Sequence, residues 1–282
     1  PEKSYTTYYV RPINFIHLWL MKQVSQFICV LCFMALVVQA RAQNIYTDRP
    51  TQTTSSAIVP KGAFQVETGF YLLEYSVATM QPNGNSKYQY FSLNNTLLRY
   101  GVSERFELRF SQEVGKRRQV IDGNILFVND AQVAPTMFGA KVGLVKDNSS
   151  LPDIGLIVSA GGGIFEETQS GLLTDIRLAV DAPLAESLAL SANLGMTHNN
   201  GFENRNTFYT LMFAYGLNDK LGVFIESYGG FPKVGQSEHA MDAGLTYLLS
   251  SSLQIDVYGG TGLSDSASNL LLGFGLSKRF LK

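Results

Sequence analysis

The chain has 282 residues, of which 45% are hydrophobic and 16% charged, and its formal net charge at pH 7 is −1. This balance excludes the basic patch that a nucleic-acid-binding surface needs, so no nucleic-acid partner is predicted. The two cysteines, Cys29 and Cys32, both lie near the N-terminus. If that region is removed after synthesis, the rest of the chain has neither disulfides nor a thiol nucleophile nor a thiolate metal site.

The first 42 residues have the pattern of a secretory signal peptide with an extension ahead of it. Met21 and Lys22 open a short positive region, residues 27–38 are apolar and uncharged, and Ala40-Arg41-Ala42 has signal-peptidase spacing. The apolar stretch is too short for a membrane-spanning helix, which needs about 17 to 25 residues. We therefore predict an upstream extension at residues 1–20 and a signal peptide at residues 21–42. A start still further upstream is the alternative.

Residues 43–61 are predicted to be an irregular segment, and residues 62–282 a β-barrel. In the stretch Phe64 to Leu72, and again in Leu270 to Phe280, apolar side chains recur at every second position, which is typical of a half-buried strand. In an outer-membrane barrel the apolar face points at lipid and the polar face at the lumen. The terminal strand with Phe280 near its end resembles the signal read by the bacterial barrel-insertion machinery, which is therefore a predicted partner.

Short turns alternate with longer polar connections along this region. Five turns and six loops predict twelve antiparallel strands, with the turns and both termini on the periplasmic side. The fold class is thus all-β, an antiparallel transmembrane barrel of about twelve strands, set in the lipid of the bacterial outer membrane. The turns lie at 100–104, 146–150, 182–186, 216–220 and 249–252, and the loops near 77–87, 115–130, 165–171, 198–206, 230–238 and 262–268.

The segment from Thr47 to Phe70 resembles the opening of a family of outer-membrane barrels named for the MetA pathway of phenol degradation. The C-terminal third is similar to the same family, so the likeness spans nearly the whole mature chain. The resemblance implies an outer-membrane transporter, and a phenolic substrate is not carried over with it. The matching pieces are Asp48-Arg49-Pro50, Pro60-Lys61-Gly62, Gln65-Val66-Glu67-Thr68-Gly69, Asp242–Tyr247, Gln254–Asp256 and Gly273–Phe280.

A set of charged residues falls on the predicted lumen-facing phase. One interpretation is an ion-pair network that fills a narrow barrel, and the other is an electrostatic constriction along a permeation path. Glu226 and Asp242 are expected nearest the middle of the membrane, and most of the others in the periplasmic half. The set comprises Glu67, Arg99, Glu107, Arg109, Arg177, Glu226, Asp242, Asp256 and Arg279.

The sequence predicts neither catalytic nor cofactor-binding nor metal-binding residues. His198-Asn199-Asn200-Gly201 resembles the His-x-Ser-Asn-Gly of outer-membrane phospholipases, but Asn200 stands where the nucleophilic serine belongs. His239 lacks a second His or Cys at ligand spacing. The glycines at 161–163 lack the Lys-Ser/Thr of a phosphate loop, and a strand bulge explains them better.

Passage of small, hydrophobic or aromatic solutes is therefore the leading predicted function, through a narrow or gated route, because side chains can fill a small barrel. The first alternative is a structural or adhesive barrel without a conducting path. The second is a membrane-embedded hydrolase.

Overall fold

The computed structural model describes residues 45–77, 86–148, 150–163, 171–199 and 204–281. The predicted extension and signal peptide lie outside these residues, as do Asn200, Gly201 and most of the predicted loops at 77–87 and 165–171. Among the described residues, no helix is long and apolar enough to cross a membrane.

In the described part of the chain, fourteen strand segments form one sheet, and the pairings between them are antiparallel. They are β1 (Phe64–Val77), β2 (Ser86–Ser103), β3 (Phe106–Ile121), β4 (Asn124–Val128), β5 (Gln132–Val133), β6 (Thr136–Val145), β7 (Asp153–Gly162), β8 (Leu173–Ala185), β9 (Leu188–Asn199), β10 (Asn204–Gly216), β11 (Leu221–Pro232), β12 (Glu238–Ser250), β13 (Leu253–Gly262) and β14 (Leu270–Phe280).

The sheet closes into a barrel of twelve strand positions. β1 pairs with β14 from Phe64↔Phe280 to Glu74↔Leu270, so the first and last strands complete the ring. β4, β5 and β6 all pair with β3, one after another along its length, and together they occupy one strand position. The predicted antiparallel barrel of about twelve strands is confirmed.

The loop predicted at residues 115–130 is wrong. β3 instead continues to Ile121 and returns through β4 after a two-residue turn at Asp122-Gly123, where φ is 49° and 83°. Positive φ at both central positions is the geometry of a type I′ hairpin, for which Asp-Gly is a preferred sequence. The cations at 116–118 lie over the rings of Phe91 and Tyr90 on β2, so this polar stretch is part of the sheet.

The outer surface of the barrel is apolar, whereas the lumen is polar. Outward-facing Phe138, Leu194 and Phe274 are 57%, 63% and 58% exposed, while inward-facing Glu67 and Glu107 are 0% exposed. A soluble protein would hide the first group and expose the second, because apolar surface is driven out of water. Lipid hydrocarbon around the barrel would cover the apolar outer side chains, and the polar ones stay in the lumen. The protein is therefore a β-barrel of the bacterial outer membrane.

Candidate functional site: a plugged lumen beneath an outer vestibule

Residues 45–63, hereafter the plug, precede β1 and lie inside the barrel. Thr53, Val59 and Ala63 are almost completely buried. Within the described residues the plug forms one β-bridge, between Lys61 and Gly101. Its remaining buried N–H and C=O groups therefore need partners from side chains of the lumen, since an unpaired buried backbone group is costly. The Arg49-Pro50 peptide bond in this segment is cis.

Asp48 is the electrostatic centre of the plug. Its carboxylate lies 3.5 Å from Nη1 of Arg99, 2.6 Å from Nη1 of Arg109 and 3.3 Å from Nζ of Lys141. Burial alone would raise the pKa of Asp48, but the charges of Arg99, Lys141 and Arg109 hold that pKa well below its usual range. Asp48 is therefore ionised, and it ties the plug to β2, β3 and β6.

Two wall carboxylates complete this cluster. Glu67 accepts hydrogen bonds from the backbone N–H groups of Asp48 and Arg49, at 2.9 and 3.1 Å. Glu107 accepts one from the backbone N–H of Val59 at 2.8 Å. Arg99 bridges both, lying 2.9 Å from Glu67 and 2.8 Å from Glu107. Three cations thus face three carboxylates, and none of these buried charges stands alone.

The opposite wall holds the middle of the plug. Glu226 on β11 accepts hydrogen bonds from the backbone N–H groups of Gln52 and Thr53 and from the Thr53 hydroxyl. On β9, Asn193 receives the Thr54 N–H at 2.7 Å and donates to the Thr54 carbonyl at 2.8 Å. These two hydrogen bonds resemble the pair that joins two strands. One amide side chain thus satisfies both backbone groups of Thr54, which has no partner among the described strands.

The β8 wall binds the next residues of the plug. Asp181 accepts hydrogen bonds from the hydroxyls of Ser55 and Ser56 and from the Ser56 N–H. Arg177 donates to the Thr54 hydroxyl at 3.0 Å and forms a two-bond pair with Asp175. Arginine suits this position because its planar fork can serve a carboxylate and a neighbouring acceptor together.

The plug is anchored around most of the lumen. Among the described residues its hydrogen-bond partners come from ten of the twelve strand positions, so no single wall carries it. These strands are β1, β2, β3, β6, β8, β9, β10, β11, β13 and β14.

The structure places all nine sequence-predicted charges toward the lumen. Four of them join the Asp48 cluster, while Glu226, Asp256 and Arg177 contact the plug elsewhere. Arg279 donates to Gln65 at 2.8 Å. Asp242 is the cross-strand neighbour of Glu226, and its oxygens accept no hydrogen bond from the described residues. The four in the cluster are Glu67, Arg99, Glu107 and Arg109.

Sequence reasoning missed Lys141, Asp181 and Asn193, and it noted Asp48 only as part of the family motif Asp48-Arg49-Pro50, without a place in the lumen. Lys141 carried a usable signal, because it is the single charge of β6 and lies between apolar residues on a strand that alternates. The motif around Asp48 did not indicate which way its side chain points, since the period of a strand says nothing about an irregular segment. The described residues also contain no group of three or more His, Cys, Asp or Glu that could hold a metal ion.

Beyond the plug, toward the outer ends of the strands, lies a cavity of about 830 Å³, hereafter the vestibule. Plug residues from Asp48 to Thr54 form its floor, and Glu238 and Ala267 lie at its rim. This volume falls in the range of small-molecule sites, about 300–1,000 Å³. Its walls are rich in inward-facing aromatic side chains: Tyr71, Tyr75, Phe208, Tyr228 and Tyr258.

Comparison with known proteins agrees with this geometry. Residues 47–280 match the family described as "Putative MetA-pathway of phenol degradation". The chain belongs to this family. The resemblance predicted from the sequence is therefore confirmed.

Solved structures show the same fold. An outer-membrane channel from Pseudomonas putida F1 is 13% identical and superposes with a TM-score of 0.63, covering 82% of this chain and 100% of that chain. The translocator domain of the autotransporter NalP from Neisseria meningitidis is 10% identical, with a TM-score of 0.51, covering 79% of this chain and 90% of that chain. At these identities the likeness is one of fold alone. No protein of curated function matches the chain.

Proposed function

We propose that this protein is a gated outer-membrane channel for small solutes and that residues 45–63 are its gate. The observation that carries the proposal is the plug itself, bound to ten strand positions beneath an open vestibule of about 830 Å³. A solute can enter from outside, but it reaches the periplasm only when the plug moves. The family description and the similarity to a channel fold support this role.

The bonding of the plug distinguishes a gated channel from a barrel whose lumen is simply filled by wall side chains. In a filled barrel the wall side chains would bond mainly to one another, as Arg99 and Glu107 do. Here many of them bond to the main chain of a separate segment, such as Glu226 to Thr53. Apart from the single bridge between Lys61 and Gly101, that segment can leave without breaking a pairing between strands, and water can then solvate the polar lumen.

The hydrolase alternative has little support. Asn200 stands at the position of the expected nucleophile, and an amide cannot attack an ester as a serine alkoxide does. We infer that the protein acts without covalent chemistry on its solute.

A reversible lock on the plug tests the gate. The hydroxyls of Thr53 on the plug and Thr210 on β10 are 2.8 Å apart, so a Thr53→Cys, Thr210→Cys pair is placed for a disulfide. No cysteine follows Cys32, so the new pair has no competitor in the mature chain. In planar bilayers with KCl we expect current from the reduced variant and its loss on oxidation.

The matched control is Thr68→Cys with Thr96→Cys, another pair of threonine hydroxyls 2.8 Å apart, but joining β1 to β2. Oxidation of this wall pair should leave the current unchanged. A measurable current that is the same in the oxidised and reduced Thr53–Thr210 variants would show that the plug is not the gate. A barrel that conducts neither with the plug free nor with it locked would establish the structural alternative.

A further inference from the structure

We propose that the vestibule is a binding site for a small aromatic anion, such as a benzoate-like carboxylate, with the carboxylate on Arg177 and the ring against the aromatic wall. The inference rests on the proposed function, because a solute that passes the gate must first occupy the vestibule. It goes further by naming the charge and shape of that solute.

Three guanidinium groups reach the inner end of the vestibule, one from the plug and two from the wall. The side chains of Arg177, Arg49 and Arg109 are 20%, 11% and 9% exposed. The carboxylates that pair with the last two are covered, since Asp256 is 0% exposed and Asp48 is 5% exposed. Arg49 and Arg109 therefore face the cavity with less exposed carboxylates behind them, whereas Asp175 is about as exposed as its partner Arg177. An anion that enters meets positive charge at the floor, in a site shielded from bulk solvent.

Arg177 is the best placed of these cations. Asp175 accepts from its Nε at 3.1 Å and from its Nη2 at 2.7 Å, and Thr54 accepts from its Nη1 at 3.0 Å. A guanidinium has five N–H donors, so donors remain for a ligand. Asp175 is 18% exposed, and among the described residues it is the carboxylate that pairs with this arginine, so it competes with an incoming anion.

The wall beside Arg177 suits a flat ring. The Arg177 guanidinium lies 4.8 Å from the ring centroid of Phe208, which fixes its plane. Tyr228 and Tyr258 line the same cavity. Aromatic pairs prefer offset or edge-to-face contacts with centroids about 4.5–7 Å apart, which a single-ring solute can reach here. Glu238 at the rim repels an entering anion, so the attraction for the anion comes from the arginines at the inner end of the vestibule.

Titration calorimetry on the detergent-folded mature protein measures this binding directly. We expect benzoate to bind more tightly than cyclohexanecarboxylate, which has the same charge without the aromatic ring. Benzylammonium, which has the ring with the opposite charge, should bind weakest. Benzylammonium binding as tightly as benzoate would overturn the proposal.

Two substitutions at the site should act in opposite directions. Arg177→Gln should weaken benzoate binding about tenfold or more, because it removes hydrogen bonds to a charged group. Asp175→Asn should strengthen it, because the competing carboxylate is gone. Arg118→Gln is the control, since Arg118 lies over Phe91 on the outward face, and affinity should not change. Unchanged affinity in Arg177→Gln would overturn the assignment.

Phe208→Leu keeps the charge and removes the ring, so it decides the case even if Arg177→Gln does not fold. It should reduce benzoate affinity toward that of cyclohexanecarboxylate and leave the latter unaltered. Equal affinities for both anions in the unmodified protein would exclude an aromatic site. Calorimetry needs no open gate, and the disulfide experiment uses KCl alone. A current controlled by the Thr53–Thr210 disulfide without benzoate binding would therefore refute this inference and leave the channel proposal intact.

Discussion

Arg49 of the plug lies directly over Gly275 of β14, where an added β-carbon would be 2.4 Å from the arginine Nε. Gly69, the cross-strand neighbour of Gly275, forms the other half of this slot. From the slot Arg49 reaches Asp256 at 3.5 Å and the Phe274 carbonyl at 3.3 Å. Two adjacent glycines in the wall therefore make room for the residue that anchors the start of the plug.

Gly275→Ala should displace Arg49 and loosen the plug while the barrel stays folded. The expected result is a higher open probability in planar bilayers, because Arg49 loses Asp256 and the Phe274 carbonyl. Gly216→Ala is the matched control, since its added β-carbon would meet nothing nearer than 3.9 Å. Identical gating in the two variants would show that the slot does not hold the plug.

Glu226→Ala should release the middle of the plug. The backbone N–H groups of Gln52 and Thr53 lose their acceptor, at a cost of roughly 1–3 kcal/mol for each group left buried and unpaired. Hydrogen exchange followed by mass spectrometry should show faster exchange at residues 50–56, with β14 still protected. Glu104→Ala, in an exposed turn, is the control. Unaltered exchange at residues 50–56 would contradict the assigned role of Glu226.

Acid should loosen the plug through Asp48. Because the folded-state pKa of Asp48 is lowered, its ionised form stabilises the plug fully above the ordinary aspartate pKa of about 3.9. That stabilisation is lost progressively as the pH falls below this value. We expect the conductance of the unmodified channel to rise below about pH 4. Asp48→Asn should conduct already at pH 7 and depend less on pH, and a parallel pH profile in both proteins would refute this.

A charge introduced on the lipid-facing surface should impair assembly more strongly the nearer it lies to the middle of the membrane. Val257 is the fifth of the ten residues of β13, faces outward and is 52% exposed, whereas Ile255 lies closer to the periplasmic turn. Val257→Arg should cost about 2–4 kcal/mol, and Ile255→Arg about 0–1 kcal/mol, as arginine moves from the midplane toward the interface. The yield of heat-resistant folded barrel in lipid vesicles measures this.

The lumen-facing control for that series is Gln254→Arg. Gln254 donates to the Thr47 hydroxyl at 2.9 Å, so the change should disturb the plug but spare insertion. Equal folding yields for Val257→Arg and Gln254→Arg would show that the assignment of faces is wrong.

The sequence by itself determined the barrel, because the information is local. Side chains of a strand alternate between two faces, so the apolar period of two in stretches such as Phe64 to Leu72 separates lipid from lumen without any knowledge of neighbours. For the same reason the charges from Glu67 to Arg279 could be placed inside before any contact was known. The hairpin at Asp122-Gly123 was also predictable from its turn residues, because Asp-Gly is a preferred type I′ sequence, but the region was predicted to be a long polar loop.

Only the tertiary structure decided what the lumen charges do. Thr53 and Glu226 are 173 residues apart in the chain, and Arg49 and Asp256 are 207 apart. Such contacts depend on the closure of the ring, which brings walls from distant parts of the sequence around one irregular segment. That segment has no period, since its backbone bonds to side chains instead of to a neighbouring strand. The plug and the vestibule above it therefore became visible only once the barrel had closed.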